Sequence, residues 1–196
     1  MADAGRVIAG RAKGLRLEAA GPGTRALSDR VKQVLFGVLD PDIEGAAVLD
    51  LFAGSGAGGI EALSRGAARA VFVEKDAGAA RVVAENLRRT QLETGGKVVR
   101  RDVIAWLGDA AGPAADGPFD LVLLDPPYAE TELLVRALEL VGPFVRPGGR
   151  VVAKHFWRAA PPAESGLLAS ERVRRLGETA LTFYRCRGQA EEAGEA

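Results

Sequence analysis

Four consecutive residues, Asp125-Pro126-Pro127-Tyr128, follow the apolar run Leu121-Val122-Leu123-Leu124. The two prolines fix φ and remove two N–H donors, which leaves the Asp125 carboxylate and the Pro126 carbonyl as acceptors at a stiff turn. Two fixed acceptors suit both protons of an exocyclic amino group. An amine held this way can turn its nitrogen lone pair toward a methyl donor, so that positioning and electrostatics favour in-line transfer. Tyr128 adds an aromatic face on which an extruded base can stack. The plain alternative is a Pro-Pro turn with a packed tyrosine.

A second group of residues has the chemistry of a nucleotide-like cofactor. Asp50-Leu51-Phe52-Ala53-Gly54-Ser55-Gly56-Ala57-Gly58-Gly59 closes another apolar run. Its small residues let the chain turn sharply and bring backbone N–H groups and a helix N-terminus close to a ligand. Gly54, Gly56 and Gly59 alone match the weak dinucleotide spacing G-x-G-x-x-G. Glu74, at the end of the next apolar run, can accept hydrogen bonds from a ribose diol. Asp102 can accept from an adenine amino group, or it can simply cap an exposed helix. Glu74 and Asp102 suit NAD and S-adenosylmethionine equally; the Asp125-to-Tyr128 turn has a role only with the latter.

These residues need elements to carry them. Short apolar runs at Ala47–Leu51, Ala70–Val73, Val98–Val99, Phe119–Leu124 and Gly149–Ala153 predict strands, and the segments near 57–65, 77–91, 102–110 and 131–142 predict helices between them. Such alternation predicts an α/β fold, a doubly wound parallel sheet that binds ligands at the carboxyl ends of its strands. Ser28 is placed to cap a helix over 28–39 that Pro41 ends, with Val31, Val34, Leu35, Val38 and Leu39 at helical spacing. Residues 6–17 suggest a small hairpin or extended arm around Gly10 and Gly14, and Gly21-Pro22-Gly23 a loop. Arg172–Leu176 and Thr179–Cys186 predict a C-terminal antiparallel hairpin around Gly177-Glu178. The expected organisation is a basic extension and helix over 1–40, a catalytic domain over 41–187 and a disordered acidic tail over 188–196.

With 196 residues, 47% hydrophobic and 27% charged, the chain has an ordinary globular composition. It has neither an apolar run long enough to cross a bilayer nor a signal-peptide core, which predicts a cytoplasmic protein without membrane contact. One Cys and one His exclude an internal disulfide and the usual zinc sites, and no metal is expected. Cys186 reads as a small apolar filler. The net charge is zero but unevenly spread. Residues 1–37 carry seven Lys and Arg against three Asp and Glu, residues 38–145 ten against seventeen, and residues 146–187 nine against three. Basic flanks can hold a polyanion by phosphate contact, or they can be merely solvated. Arg6, Arg11, Lys13, Arg16, Arg172, Arg174 and Arg175 are the candidates for such contacts. His155 and Trp157 either touch the same ligand or pack structurally.

The pair of motifs, Asp50 to Gly56 with Asp125 to Tyr128, resembles the class I S-adenosylmethionine-dependent amino-methyltransferases, which have a Rossmann-like sheet. Arg6-Val7-Ile8-Ala9-Gly10, the helix from Ser28 to Phe36, Glu61-Ala62-Leu63-Ser64-Arg65-Gly66-Ala67 and Gly177 to Tyr184 extend the likeness to the RsmD family over nearly the whole chain. The resemblance implies methylation of a guanine exocyclic N2 in the 16S rRNA of the small ribosomal subunit; separately from it, a monomer is expected. It assigns Asp50, Ala53, Gly54 and Gly56 to the methionine end of S-adenosylmethionine, Glu74 to its ribose and Asp102 to its adenine. Asp125, Pro126, Pro127 and Tyr128 go to the target base. The chain departs from the family pattern at Ala26, Leu27 and Gln33, near the expected entrance for cofactor and RNA. A DNA amino-methyltransferase would use the same turn, but such enzymes usually need a separate target-reading domain. An NAD-dependent oxidoreductase leaves the turn without a role, and a non-catalytic RNA-binding module needs only the basic flanks.

Overall fold

The protein is described from a computed structural model that covers residues 3–21, 27–109 and 111–188. Ala26 and residues 189–196 of the tail lie outside them. The chain divides into two compact units, Met1–Val103 and Ile104–Ala196.

In the first unit, β1 (Asp3–Arg6) and β2 (Arg16–Glu18) pair antiparallel, which settles the N-terminal arm as a hairpin. Helix α1 (Asp29–Leu39) begins where Ser28 accepts from the Val31 N–H at 3.3 Å, and Asp40-Pro41-Asp42 follows it as one 3-10 turn. Strand β3 (Ala47–Leu51), helix α2 (Ala57–Ser64), strand β4 (Arg69–Val73), helix α3 (Ala77–Arg89) and strand β5 (Gly96–Val99) then alternate. The strands lie in the order β5-β4-β3, all parallel. Every residue of β3 is buried, as a parallel strand covered on both faces requires.

The N-terminal arm is fastened to α2 by a carboxylate. Glu61 is fully buried and accepts from the Ile8 N–H at 2.7 Å, the Ala9 N–H at 3.0 Å and the Arg65 Nε at 2.8 Å. Ser64 adds two bonds, accepting from the Ala12 N–H and donating to the Ala9 carbonyl. Gly10, at φ 80°, passes so close that a Cβ there would lie 1.7 Å from the Ser64 carbonyl oxygen. The two sequence segments around Gly10 and Glu61 are therefore one contact.

The helices α4 (Val103–Gly108) and α5 (Ala111–Asp116) lead into the second unit's strands. Strand β6 (Phe119–Leu124), helix α6 (Thr131–Val141) and strands β7 (Val145–Phe156), β8 (Glu164–Ser165), β9 (Leu168–Leu176) and β10 (Thr179–Cys186) follow. Their order is β6-β7-β10-β9-β8, with β6 parallel to β7 and the rest antiparallel. The α/β class holds, with antiparallel strands at the C-terminal end. Three details differ from the sequence expectation. Strand β7 has 12 residues because Arg146-Pro147-Gly148, polar and exposed, enters it through a register shift. Strand β9 starts at Leu168, where its pairing with Cys186 opens the hairpin. Helix α5, which carries Gly112 and Pro113, falls where the sequence predicted no element. Among the described residues no helix is long and apolar enough to cross a membrane.

Glu61→Ala would remove the acceptor of two part-buried backbone N–H groups and one of the two carboxylate partners of Arg65, which keeps Asp40 at 2.7 Å. It is expected to cost about 3–5 kcal/mol in urea unfolding, the scale for breaking a buried charged contact. Amide exchange at Ile8 and Ala9 should accelerate at the same time. A loss below about 1 kcal/mol with unchanged exchange would show that the arm is held by other means.

Candidate active site

In the first unit the expected cofactor residues gather at the carboxyl ends of β3 and β4. Asp50 is buried, and its Oδ2 accepts from the Gly59 N–H at 2.7 Å, which occupies one of the free donors in the first turn of α2. The loop between them bends through left-handed residues: Phe52 at φ 60°, Gly54 at φ 55° and Gly56 at φ 78°. Glycine accepts such angles freely; Phe52 does so at a cost of about 1–3 kcal/mol. Gly59 is required for another reason, since a Cβ there would lie 2.4 Å from the Phe72 ring.

The Ala53 N–H reaches the Val73 carbonyl at 3.2 Å, and the Gly56 N–H turns back to the Ala53 carbonyl at 2.7 Å. Glu74 accepts from the Gly54 N–H at 2.9 Å through one oxygen and from the Asp76 N–H at 2.9 Å through the other. Glu74 thus pins the glycine loop, a function the sequence did not suggest, and a carboxylate's four acceptor positions leave room for further hydroxyl donors. Asp102 stands exposed three residues beyond β5, directly before α4. These bonds join Gly54 to Glu74 and Gly56 to Ala53, and hold Asp50 to α2 at Gly59; Asp102 lies on the exit of the neighbouring strand.

In the second unit, Asp125 leaves the end of β6 and meets Lys154 of β7, whose ammonium contacts Asp125 Oδ1. Both side chains are mostly buried, at 10% exposure for Lys154 and 19% for Asp125. Burial pushes the Asp125 carboxyl up from its ordinary value, while the Lys154 charge and hydrogen bond pull it back down. The same ammonium lies 4.9 Å from the centre of the Tyr128 ring. The Tyr128 hydroxyl is 2.6 Å from Thr179 Oγ1, and its ring packs tilted against Phe156 at 6.5 Å. Pro126, Pro127, Tyr128, Lys154 and Phe156 line one surface pocket. Sequence reading missed Lys154, Thr179 and Phe156. A lysine in an alternating strand reads as a solvent-facing residue, and the cross-strand pairing of Thr179 with Phe156 exists only in the folded sheet.

His155 is buried and used up. A carbonyl can only accept, so Nδ1 donates to the Phe156 carbonyl at 2.9 Å and Nε2 accepts from the Thr182 hydroxyl at 2.9 Å. Burial also lowers its pKa, favouring the neutral ring. Cys186 is likewise buried, its Sγ 3.8 Å from the Gly142 carbonyl and 3.7 Å from the Val145 carbonyl, so it fills space and also makes weak polar contacts. In the N-terminal helix, Lys32 is fully buried and its ammonium contacts the Arg6 carbonyl, while Leu27 is buried and Gln33 exposed. Of the basic candidates, Arg6 pairs with Asp29 at 3.2 Å and remains largely exposed. Arg11, Lys13, Arg16, Arg172, Arg174 and Arg175 are exposed.

Three kinds of likeness accompany this geometry. A protein-family profile described as "Conserved hypothetical protein 95" matches residues 5–185. The chain is 38% identical to YlbH of Bacillus subtilis (strain 168) over 186 residues, 93% of this chain and 100% of that one. It is also 38% identical to the ribosomal RNA small subunit methyltransferase D of Escherichia coli (strain K12) over 125 residues, 63% of this chain and 60% of the relative. Among solved structures, yhhF from Escherichia coli superposes with a TM-score of 0.82 at 29% identity and covers 94% of this chain and 98% of that one. Likeness over almost the full length carries the fold class expected from the sequence.

Removing the Lys154 ammonium should make stability depend on pH in a defined direction. Without its partner the Asp125 carboxyl rises further, so the folded state accommodates it best when protonated, and stability falls as pH climbs through that raised value. Lys154→Met is therefore expected to lose little stability near pH 4 and about 3–5 kcal/mol near pH 8 in urea unfolding. Adding Asp125→Asn should restore most of the loss. A deficit independent of pH would show that Lys154 acts through packing alone.

Proposed function

Since the chain belongs to the Conserved hypothetical protein 95 family, we propose that it is an S-adenosylmethionine-dependent methyltransferase of ribosomal RNA, which methylates a guanine exocyclic N2 in the 16S rRNA of the small subunit. The observation that carries this reading is the Asp125-Pro126-Pro127-Tyr128 turn, with its carboxylate held by Lys154 and its aromatic ring braced by Thr179. An oxidoreductase or a simple binding module gives that arrangement nothing to do.

The first unit's residues fit the cofactor by the chemistry of their donors and acceptors. Glu74, already oriented by two backbone N–H groups, has acceptor capacity left for a ribose diol. Asp50, Ala53, Gly54 and Gly56 would take the methionine end, where a side chain at Gly56 would press on Val83 and Ile60. Asp102 would take the adenine. When bound, S-adenosylmethionine supplies a methyl group on a sulfonium sulfur.

The second unit's residues act on the acceptor. Asp125 and the Pro126 carbonyl would each accept one proton of the guanine amino group, so that its nitrogen lone pair is left unhydrogen-bonded. Because Lys154 favours the ionised form, Asp125 works as a fixed acceptor, and the proton shed by the methylated nitrogen passes to water. Tyr128 would stack the extruded base. Extrusion costs a few kcal/mol and an aromatic stack returns about 1–3 kcal/mol. Arg6, Arg11, Lys13, Arg16, Arg172, Arg174 and Arg175 would lie along the phosphates.

Small subunits lacking the modification, incubated with the protein and labelled S-adenosylmethionine, should acquire label on a guanine N2 of 16S rRNA. Asp125→Ala should lower turnover about 10²–10³-fold at saturating cofactor. Asp125→Asn, which keeps an acceptor oxygen, should retain part of the activity. Tyr128→Ala should impair both RNA engagement and turnover, and Tyr128→Phe should keep most of each. Glu74→Ala should weaken S-adenosylmethionine by about 1.5–3 kcal/mol in calorimetry. Near-normal methylation by Asp125→Ala, label on DNA, or tight NAD binding without S-adenosylmethionine binding would sink the reading.

A further inference from the structure

Most arginines of the second unit have an acidic partner. Arg136 pairs with Glu139, Arg146 with Asp120, Arg150 and Arg185 with Glu171, and Arg187 with Glu164. Arg158 and Arg175 differ. Among the described residues neither meets a carboxylate; both lie on the indole of Trp157, with guanidinium carbons 4.7 Å and 3.6 Å from the ring centre. Arg175 is further fixed by Nε donating to the Gly177 carbonyl at 3.0 Å, and the Trp157 backbone N–H donates to the Glu178 carbonyl at 3.0 Å. Stacking on an aromatic face orients a guanidinium in advance while leaving its in-plane N–H groups free to form a fork for phosphate. Two exposed cations beside one indole, with no acid to neutralise them, make an anion site whose entropy of ordering is already met by the fold.

The place of this pair within the second unit says which anion. Trp157 lies 6.3 Å from Phe156, and Phe156 lies 6.5 Å from Tyr128. A row of three aromatic rings thus leads from the Asp125-Pro126-Pro127-Tyr128 turn to the two arginines. A base taken out of its stack at Tyr128 brings its own backbone with it, and the phosphates next to it must run along the protein surface. Arg172 and Arg174, on the same strand as Arg175 but alternating to its other face, are also exposed and without a carboxylate partner among the described residues.

We propose that Arg158 and Arg175, spread over Trp157, form a clamp for the phosphates of the single-stranded RNA segment that flanks the target nucleotide. This rests on the reading of the protein as an rRNA methyltransferase. The clamp sets how the strand is presented to Tyr128 and takes no part in methyl transfer.

The test compares the full-length wild type with Arg158→Gln, Arg175→Gln, the double variant and Trp157→Leu, using transcribed 16S rRNA for binding and small subunits for turnover. Each glutamine should reduce the slope of log affinity against log salt by about 0.7, and the double variant by about 1.4, the values for lost single-strand phosphate contacts. KM for small subunits should rise while kcat and S-adenosylmethionine affinity stay close to wild type. Trp157→Leu keeps both charges but releases their orientation, so its affinity should fall with a smaller change in slope. A double variant with wild-type slope and KM, in a protein whose wild type methylates rRNA, would overturn the clamp alone. A wild type that methylates no rRNA would overturn the functional reading, and the clamp with it.

Discussion

A carboxylate with no water around it must find donors in the protein, and Glu61 finds them in backbone N–H groups of a segment more than fifty residues away. Much of the first unit follows from that requirement. The arm can approach α2 closely enough only because position 10 is glycine, and the helix it grips is the one whose first turn is bonded to Asp50. Glu74 holds the intervening loop from the next strand. The glycine loop is thereby braced by two carboxylates, Asp50 at the first turn of α2 and Glu74 at Gly54, while Glu61 ties the arm to the same helix.

The second unit solves a different problem. On the proposed reading Asp125 is an acceptor for a reacting amine, which must be sheltered enough for its hydrogen bonds to count, yet shelter alone would drive its carboxyl toward the neutral acid. Lys154 answers this from the adjacent strand, one residue past the Leu124–Ala153 pairing, and it also lies against the ring of Tyr128. Apolar residues at both positions 125 and 154 could pack as well and add as much stability, because buried ion pairs seldom gain much over apolar substitutes. What the ion pair supplies is an oriented Asp125 whose carboxyl the Lys154 charge draws back toward the ionised form.

The parts of this arrangement that could be read from the sequence are those set by neighbours along the chain. Ala47–Leu51 and Phe119–Leu124 are continuous apolar runs, so their boundaries as strands were legible, and Ser28 announced its helix by side-chain chemistry alone. The Asp125-Pro126-Pro127-Tyr128 turn is equally local. Its partners are not: Lys154 and Thr179 come from other strands, and their role depends on sheet register, which has no signature in a single segment. The entry to β7 escaped for the same reason, since Arg146-Pro147-Gly148 reads as a loop until Val145 is seen paired with Phe119. Glu74 was legible as a strand-end acid but not as the brace of Gly54, a contact across twenty residues.

The short length of β8 has its own consequence. It pairs with β9 only at Leu168 and Ala169, and Ser170 bonds to the Ala163 carbonyl, so beyond that point the outer edge of β9 has no neighbouring strand among the described residues. Val173 stands there half-exposed, at 53%. An open, regular edge bearing an apolar side chain is a template on which a second chain can add a strand, and flanking charges are what ordinarily prevent it. Arg172, Arg174 and Arg175 sit on that edge. Charge at such positions is what guards an open edge, and replacing all three arginines by neutral residues is expected to raise self-association through Val173, visible as increased light scattering relative to the native chain.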